Sequence, residues 1–234
     1  MLIVGVDTAT DCAVVGATAD GALVREVSIG PGPGGRPRHS EVLLAEIERT
    51  VDAAGGWPKV DRIAVGIGPG SFTGLRIGIA TARALAQAQE LPLAPVGSLA
   101  ALARGISEDR EDGGFVLPVF DARRSEAFAA LFDDDEEMWP PFVASPDELA
   151  TRVGELDRAA LAAGSGALRF APQLEAAGAT VAPPQDPVHR VAARHVCAVG
   201  EAAAEAPTDQ IQPLYLRPPD AKRWRERDRG VPGR

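Results

Sequence analysis

Residues Ile63–Gly78 read IAVGIGPGSFTGLRIG. The apolar run that opens this stretch lacks helical spacing and ends at Gly-Pro-Gly, which predicts a buried strand followed by a tight turn. Ser71 or Thr73 can then cap a helix, because either hydroxyl can accept from an amide of the first turn. A glycine-rich loop at a helix N-terminus can cradle an anion. The spacing nevertheless fits neither GxxxxGK[ST] nor GxGxxG: no lysine follows, and Thr73 stands where the third glycine would be. The chain's two lysines, Lys59 and Lys222, lie elsewhere. Spacing therefore favours a packing turn over a phosphate loop.

The helix after the turn is expected over about Leu75–Glu90. At about 100° per residue, Arg76, Arg83, Gln87 and Glu90 fall on one narrow stripe, and nearly everything else is apolar or small. Such a helix must be covered on more than one side. One cover is the sheet of its own unit. The other is either a partner or the preceding helix, expected over Ser40–Ala54, which carries Leu43, Leu44, Ile47 and Val51 on one side.

Upstream, the apolar runs Leu2–Val6, Cys12–Ala17 and Ala22–Ile29 predict three strands in a meander, with Asp20-Gly21 as a hairpin turn. Gly30–Arg38 (GPGPGGRPR) is expected to be a loop. Leu93–Val96 and Ser98–Ala103 predict a strand and a short helix. The pattern then restarts with strands at Phe115–Phe120 and Ser125–Phe132, and an exposed loop through Asp133–Glu137 and Pro140-Pro141. Ser145-Pro146-Asp147-Glu148 is a capping box that starts a further helix. Gly164-Ser165-Gly166 follows, and a last helix is expected at about Val191–Ala204. Two such units predict two α/β domains, at 1–106 and 107–216, with a basic tail at 217–234 expected to be solvated and flexible.

Of the 234 residues, 45% are hydrophobic and 24% charged, a globular balance. No run approaches the roughly 18 apolar residues of a membrane helix, and the apolar start meets Asp7 too soon for a signal peptide. Cys12 and Cys197 stand far apart, without a CxxC pair. A soluble, cytoplasmic protein with no membrane role is expected. The net charge of −9 is uneven: residues 217–234 hold seven basic and three acidic side chains, which leaves 17 and 30 in the first 216. An acidic body repels nucleic acid unless a local basic patch overrides it; were the chain to work on RNA, most phosphate contacts would be expected to come from a partner.

Candidate chemistry is sparse. Four residues after His39 comes Leu43, and His189 and His195 are six apart, so none forms the i, i+4 pair of a helical metal site. No GxSxG elbow is present, and Cys12 sits in an apolar strand pattern, which favours an inert thiol. Asp7 and Asp121 close the first strand of each half. Acids there can hold a metal–nucleotide, but they are also ordinary turn formers. No complete catalytic set, metal site or cofactor is expected.

VGVDTAT (Val4–Thr10), RHSEVLLAEI (Arg38–Ile47), IAVGIGPGSFTGLRIGIATARALA (Ile63–Ala86), LPVFDARRSEAFAALF (Leu117–Phe132) and PLYLRPPDA (Pro213–Ala221) together resemble the TsaB family. The resemblance implies an α/β, two-domain actin-like/Hsp70/sugar-kinase fold. It implies a non-catalytic subunit that forms a heterodimer with the paralogous transferase TsaD. With the ATPase TsaE, they make threonylcarbamoyladenosine beside the anticodon of ANN-decoding tRNAs. Alone, such a protein can homodimerise through the same surface, the two helices of the first domain. Carried onto this chain, that surface is expected at Leu43, Leu44, Ile47, Leu75, Ile79, Ala82 and Ala86. TsaD-like relatives hold a metal through two histidines on the first of these helices; here His39 remains and Leu43 replaces the second. Arg123 stands where a phosphate-loop glycine would follow Asp121. Asp7, Asp121, Gly164 and Gly166 would then mark only a vestigial nucleotide cleft. The competing expectation is an ATP-dependent kinase or hydrolase of the same fold; a metallopeptidase lacks its ligands.

Overall fold

The computed structural model describes residues 1–108, 110 and 113–217; the basic tail expected to be flexible lies outside the described residues, apart from Arg217. The first unit opens with β1 (Leu2–Asp7), β2 (Ala13–Ala19) and β3 (Ala22–Ile29). Asp20 and Gly21 take φ of 48° and 78°, the doubly left-handed pair that matches hairpin twist. α1 (His39–Ala53), β4 (Arg62–Gly68), α2 (Phe72–Gln89), β5 (Leu93–Gly97) and α3 (Ser98–Ser107) follow. The loop before α1 holds one short 3-10 turn, Pro33–Gly35. The second unit runs β6 (Phe115–Asp121), β7 (Ala127–Asp133), β8 (Glu136–Ala144), α4 (Pro146–Gly154), β9 (Leu161–Ala163), α5 (Ser165–Arg169), α6 (Ala171–Ala176) and β10 (Thr180–Val181), and α7 (Ala193–Ala202) ends the helices.

Each unit builds one five-stranded sheet, ordered β3-β2-β1-β4-β5 and β10-β9-β6-β7-β8. In both, the first three strands form an antiparallel meander and the last two add in parallel beside the first. The two units thus repeat one plan. The capping box at α4 forms as expected, with Ser145 Oγ accepting from the Glu148 amide and the Glu148 carboxylate from the Ser145 amide.

Two expectations need correction. Pro140-Pro141 belongs to a strand, not a loop. β8 is the edge of its sheet, where a proline's missing N–H removes no obligatory ladder bond, and register shifts flank Leu131 on its neighbour. The second domain also does not hold everything from 107 to 216. α7 returns to the first sheet and packs across β1, β2 and β4. A Cβ on Gly5 would lie 2.7 Å from Cys197 Sγ, and one on Gly16 would lie 2.7 Å from the Ala193 Cβ, so glycines let the helix sit against the strands. Burial there pushes the Cys197 thiol up to about 11. Past α7, Ala206 N donates to Leu93 O and Leu214 N to Ile67 O, tying the segment after α7 to the first unit. The reason is coverage: α1 and α2 shield one face of a mixed sheet whose strands β1, β2 and β4 are apolar on both faces, and the other face needs a helix too.

At the junction of α3 and α7, Glu108 accepts from Arg194 Nη2 and His195 Nε2, each at 3.0 Å, while Arg194 Nη1 also pairs with Glu26 at 2.9 Å. The Arg194 guanidinium holds the Glu108 carboxyl at about 2, and burial pushes the His195 ring below its ordinary 6.5. Both shifts make the folded state less stable in acid than at neutral pH. Below about 6.5 the unfolded histidine takes a proton that the folded ring resists. Between 4.5 and about 2 the depressed carboxyl loses its contribution in turn. Glu108 is 42% exposed, so solvent screening keeps its share to about 1 kcal/mol or less. Urea midpoints should therefore fall steadily on acidification from neutral pH, and Arg194→Ala should flatten the lower limb of that curve.

Candidate functional site

The Gly-Pro-Gly stretch packs. Ser71 caps α2, its Oγ accepting from Gly74 N at 3.2 Å. Added Cβ atoms on Gly70, Gly74 and Gly78 would overlap the Ala9 carbonyl, the Thr8 carbonyl and the Thr8 hydroxyl. Thr8 Oγ1 donates to Gly74 O at 2.8 Å, pinning the loop after β1 to the first turn of α2. His39 opens α1 at the same point, buried, with Nε2 donating to Thr10 O at 3.0 Å. Burial keeps its ring neutral by lowering its pKa. Leu43, where the relatives' second histidine would stand, is buried in an apolar cluster with Ile47 and Val51.

Between the two sheets lies a cleft of about 1030 Å³. Of the four vestigial-cleft candidates, only Asp121 lines it. Asp7 is 1% exposed. Its Oδ2 accepts from Ser98 Oγ at 2.6 Å and its Oδ1 from the Ala9 amide at 2.8 Å. Gly66 is flush against it. Burial pushes the Asp7 carboxyl up. Asp121 accepts from Arg169 Nη1 at 2.8 Å on both oxygens and from the Arg123 amide at 2.8 Å. Gly164 and Gly166 are packing glycines against Val119 and Phe120, and the Gly164 amide donates to His189 Nδ1 at 3.0 Å. Cys12 is not a strand residue: it precedes β2, half-buried on the cleft wall, and burial raises its pKa. Among the described residues no three His, Cys, Asp or Glu side chains gather as a metal set. No described helix is long and apolar enough to cross a membrane.

The expected interface residues are placed differently from the expectation. Leu43, Ile47, Leu75, Ile79, Ala82 and Ala86 are all buried in the chain's own core; only Leu44, 55% exposed, faces outward. The larger side chains of α1 and α2 turn toward the sheet, and Ile77 and Leu85 fill the seam between the helices. What α2 leaves outside includes a row of small residues, Ala80, Ala84 and Ala88, bordered by exposed Arg76 and Gln87. A groove of about 620 Å³ separates part of this row from the returning segment at Ile211–Pro213. At its end Phe72 and Tyr215 stack with centroids 5.1 Å apart, the Arg76 guanidinium lies 3.8 Å over the Phe72 ring, and Arg76 Nε donates to Tyr215 Oη at 2.9 Å. Phe72 and Tyr215 were not singled out from the sequence. The signal available was an aromatic inside the cap motif and the chain's single tyrosine.

A family model described as TsaD, tRNA N6-adenosine threonylcarbamoyltransferase, matches residues 34–206. The Escherichia coli protein described as "tRNA threonylcarbamoyladenosine biosynthesis protein TsaB" is 31% identical over 173 residues, 71% of this chain and 72% of that one. The chain belongs to the TsaB family. The structure titled YeaZ from Pseudomonas aeruginosa superposes with a TM-score of 0.73 at 26% identity, over 92% of this chain and 99% of that one. A ROK hexokinase from Thermus thermophilus reaches 0.51 at 13% identity, over 86% of this chain and 99% of that one, which shows a shared fold. The two repeated sheets of this TsaB-family chain are thus those of the actin-like and sugar-kinase plan.

Proposed function

We propose that this chain is a non-catalytic scaffold subunit that pairs with a TsaD-like transferase in forming N6-threonylcarbamoyladenosine in ANN-decoding tRNAs, beside the anticodon, with a TsaE-like ATPase as third component. The observation that carries this is the outward face of α2, where exposed Ala80, Ala84 and Ala88 leave room for a second helix between polar Arg76 and Gln87, beside exposed Leu44 of α1. The same face is the surface through which the chain would homodimerise when alone. Support for a non-catalytic role comes from the two acids: Asp7 is sealed behind Ser98 and Gly66, and Asp121 is held by Arg169.

Ala84→Glu tests the pairing. A carboxylate buried without a partner costs about 3–5 kcal/mol, so affinity for the TsaD-like subunit should fall by about two to three orders of magnitude, with the melting temperature unchanged. Undiminished co-purification by a folded Ala84→Glu chain would remove this face from the interface. The kinase or hydrolase alternative is met by a turnover assay on the pure chain: robust ATP hydrolysis, lost with Asp7→Ala, would replace the scaffold reading.

A further inference from the structure

The cleft between the sheets carries a charge pattern opposite to that of the body. Four arginines line it, Arg123, Arg124, Arg190 and Arg217, against two aspartates, Asp11 and Asp121. Asp121 is compensated by Arg169, and Arg217 pairs with Glu126. Arg123 and Arg190 are exposed, and neither guanidinium has an ion-pair partner among the described residues. They come from different segments of the chain. Arg123 belongs to the β6–β7 turn of the second sheet, whereas Arg190 precedes α7, near enough to Cys12 of the first unit for its charge to act on that thiol.

The β6–β7 turn holds its arginines against backbone preference. Arg123, Arg124 and Ser125 have φ of 64°, 52° and 56°, and the Glu126 amide closes the turn on Arg123 O at 3.0 Å. Two-residue hairpin turns of this hand favour Asn-Gly, and three successive left-handed residues with side chains are strained. Strain kept where a better turn is available points to a use for the side chains. Phe72 and Tyr215 also line the cleft, but they stack on each other and Arg76 lies over Phe72, so the site offers phosphate contacts rather than a stacking platform.

We propose that this cleft is a phosphodiester-binding groove for a single-stranded RNA segment, with Arg123 and Arg190 each holding a phosphate. A metal–nucleotide fits less well, because Asp7 is sealed and Asp121 is occupied by Arg169. The choice of RNA rests on the reading of the chain as a tRNA-modification subunit; the phosphate chemistry does not. The groove binds along a backbone and reads little sequence, and its affinity falls with salt.

The test is fluorescence anisotropy of the full-length chain alone with a short fluorescein-labelled oligouridylate, across a salt series, with ATP as competitor. Binding should weaken as salt rises. Arg123→Gln with Arg190→Gln should lower the log–log salt slope by about 1.4, or about 0.7 for each single-strand phosphate left without its arginine, and weaken low-salt binding by about tenfold or more. Arg123→Gly should keep or raise the melting temperature, since glycine relieves the left-handed turn, while RNA binding falls. The proposal is overturned by an absence of salt-dependent binding, or by a double variant that binds as the wild type does. It is equally overturned if ATP displaces the oligonucleotide at equal concentration, which makes the cleft a nucleotide site, or if Arg123→Gly melts earlier, which assigns the arginine to the turn. No partner enters these measurements, so their failure and a failed TsaD-like pairing are told apart.

Discussion

Ile79→Glu is expected to leave no folded chain. Ile79 is 4% exposed and packs with Val65, Leu75, Leu93 and Ile211 between α2 and the first sheet. Losing the isoleucine forfeits about 1.5–3 kcal/mol of apolar burial. Placing an unpaired carboxylate there adds about 3–5 kcal/mol. Together these rival the whole stability of an ordinary domain, about 5–15 kcal/mol. Leu43→Glu should behave alike, since Leu43 is buried against Ile47 and Val51 under the meander. Circular dichroism and size-exclusion chromatography read the outcome directly. A folded, monodisperse Ile79→Glu chain that merely fails to bind a partner would mean that the inward and outward faces of α2 have been exchanged. Ala84→Glu differs from it by five positions on the same helix and should do the reverse: fold, and lose the partner.

Gly74→Val should cost about 3–5 kcal/mol. Its Cβ would overlap the Thr8 carbonyl, and the His39 ring stands 3.3 Å away on the other flank, so α2 can escape in neither direction. Overpacking of this kind costs about 1–3 kcal/mol. Displacing α2 also breaks the buried Thr8–Gly74 hydrogen bond, and groups left unsatisfied there cost about 1–3 kcal/mol more. β1, α1 and α2 all meet at this point, so the damage reaches the whole first unit. Gly30→Ala is the control: nothing lies within 4 Å of its added Cβ, and its midpoint should match the wild type. Denaturant unfolding that finds Gly74→Val as stable as Gly30→Ala would return the glycine motif to ligand binding.

Much of the molecule was legible in advance where neighbours in sequence control the outcome. The Asp20-Gly21 hairpin, the Ser71 cap and the Ser145–Glu148 capping box depend on backbone preferences and hydrogen bonds spanning two to four residues. The expectation that Gly-Pro-Gly is a packing turn also agrees with the geometry, because a phosphate cradle needs open amides and these glycines face Thr8 and Ala9. Pro140-Pro141 misled because proline argues against a central strand, and nothing local says that a strand lies at an edge.

The sequence by itself determined the strand–turn–helix units and their repetition in two halves. Tertiary structure alone decided which apolar side of α2 faces the sheet, that α7 crosses back to cover β1, and that Arg123 and Arg190 share one cleft. The reason is range: helical periodicity states that a face must be buried, but the partner that buries it is chosen by competition among surfaces distant in the chain. On α2 that competition buried the face of Leu75, Ile79, Ala82 and Ala86, and left Ala80, Ala84 and Ala88 outside.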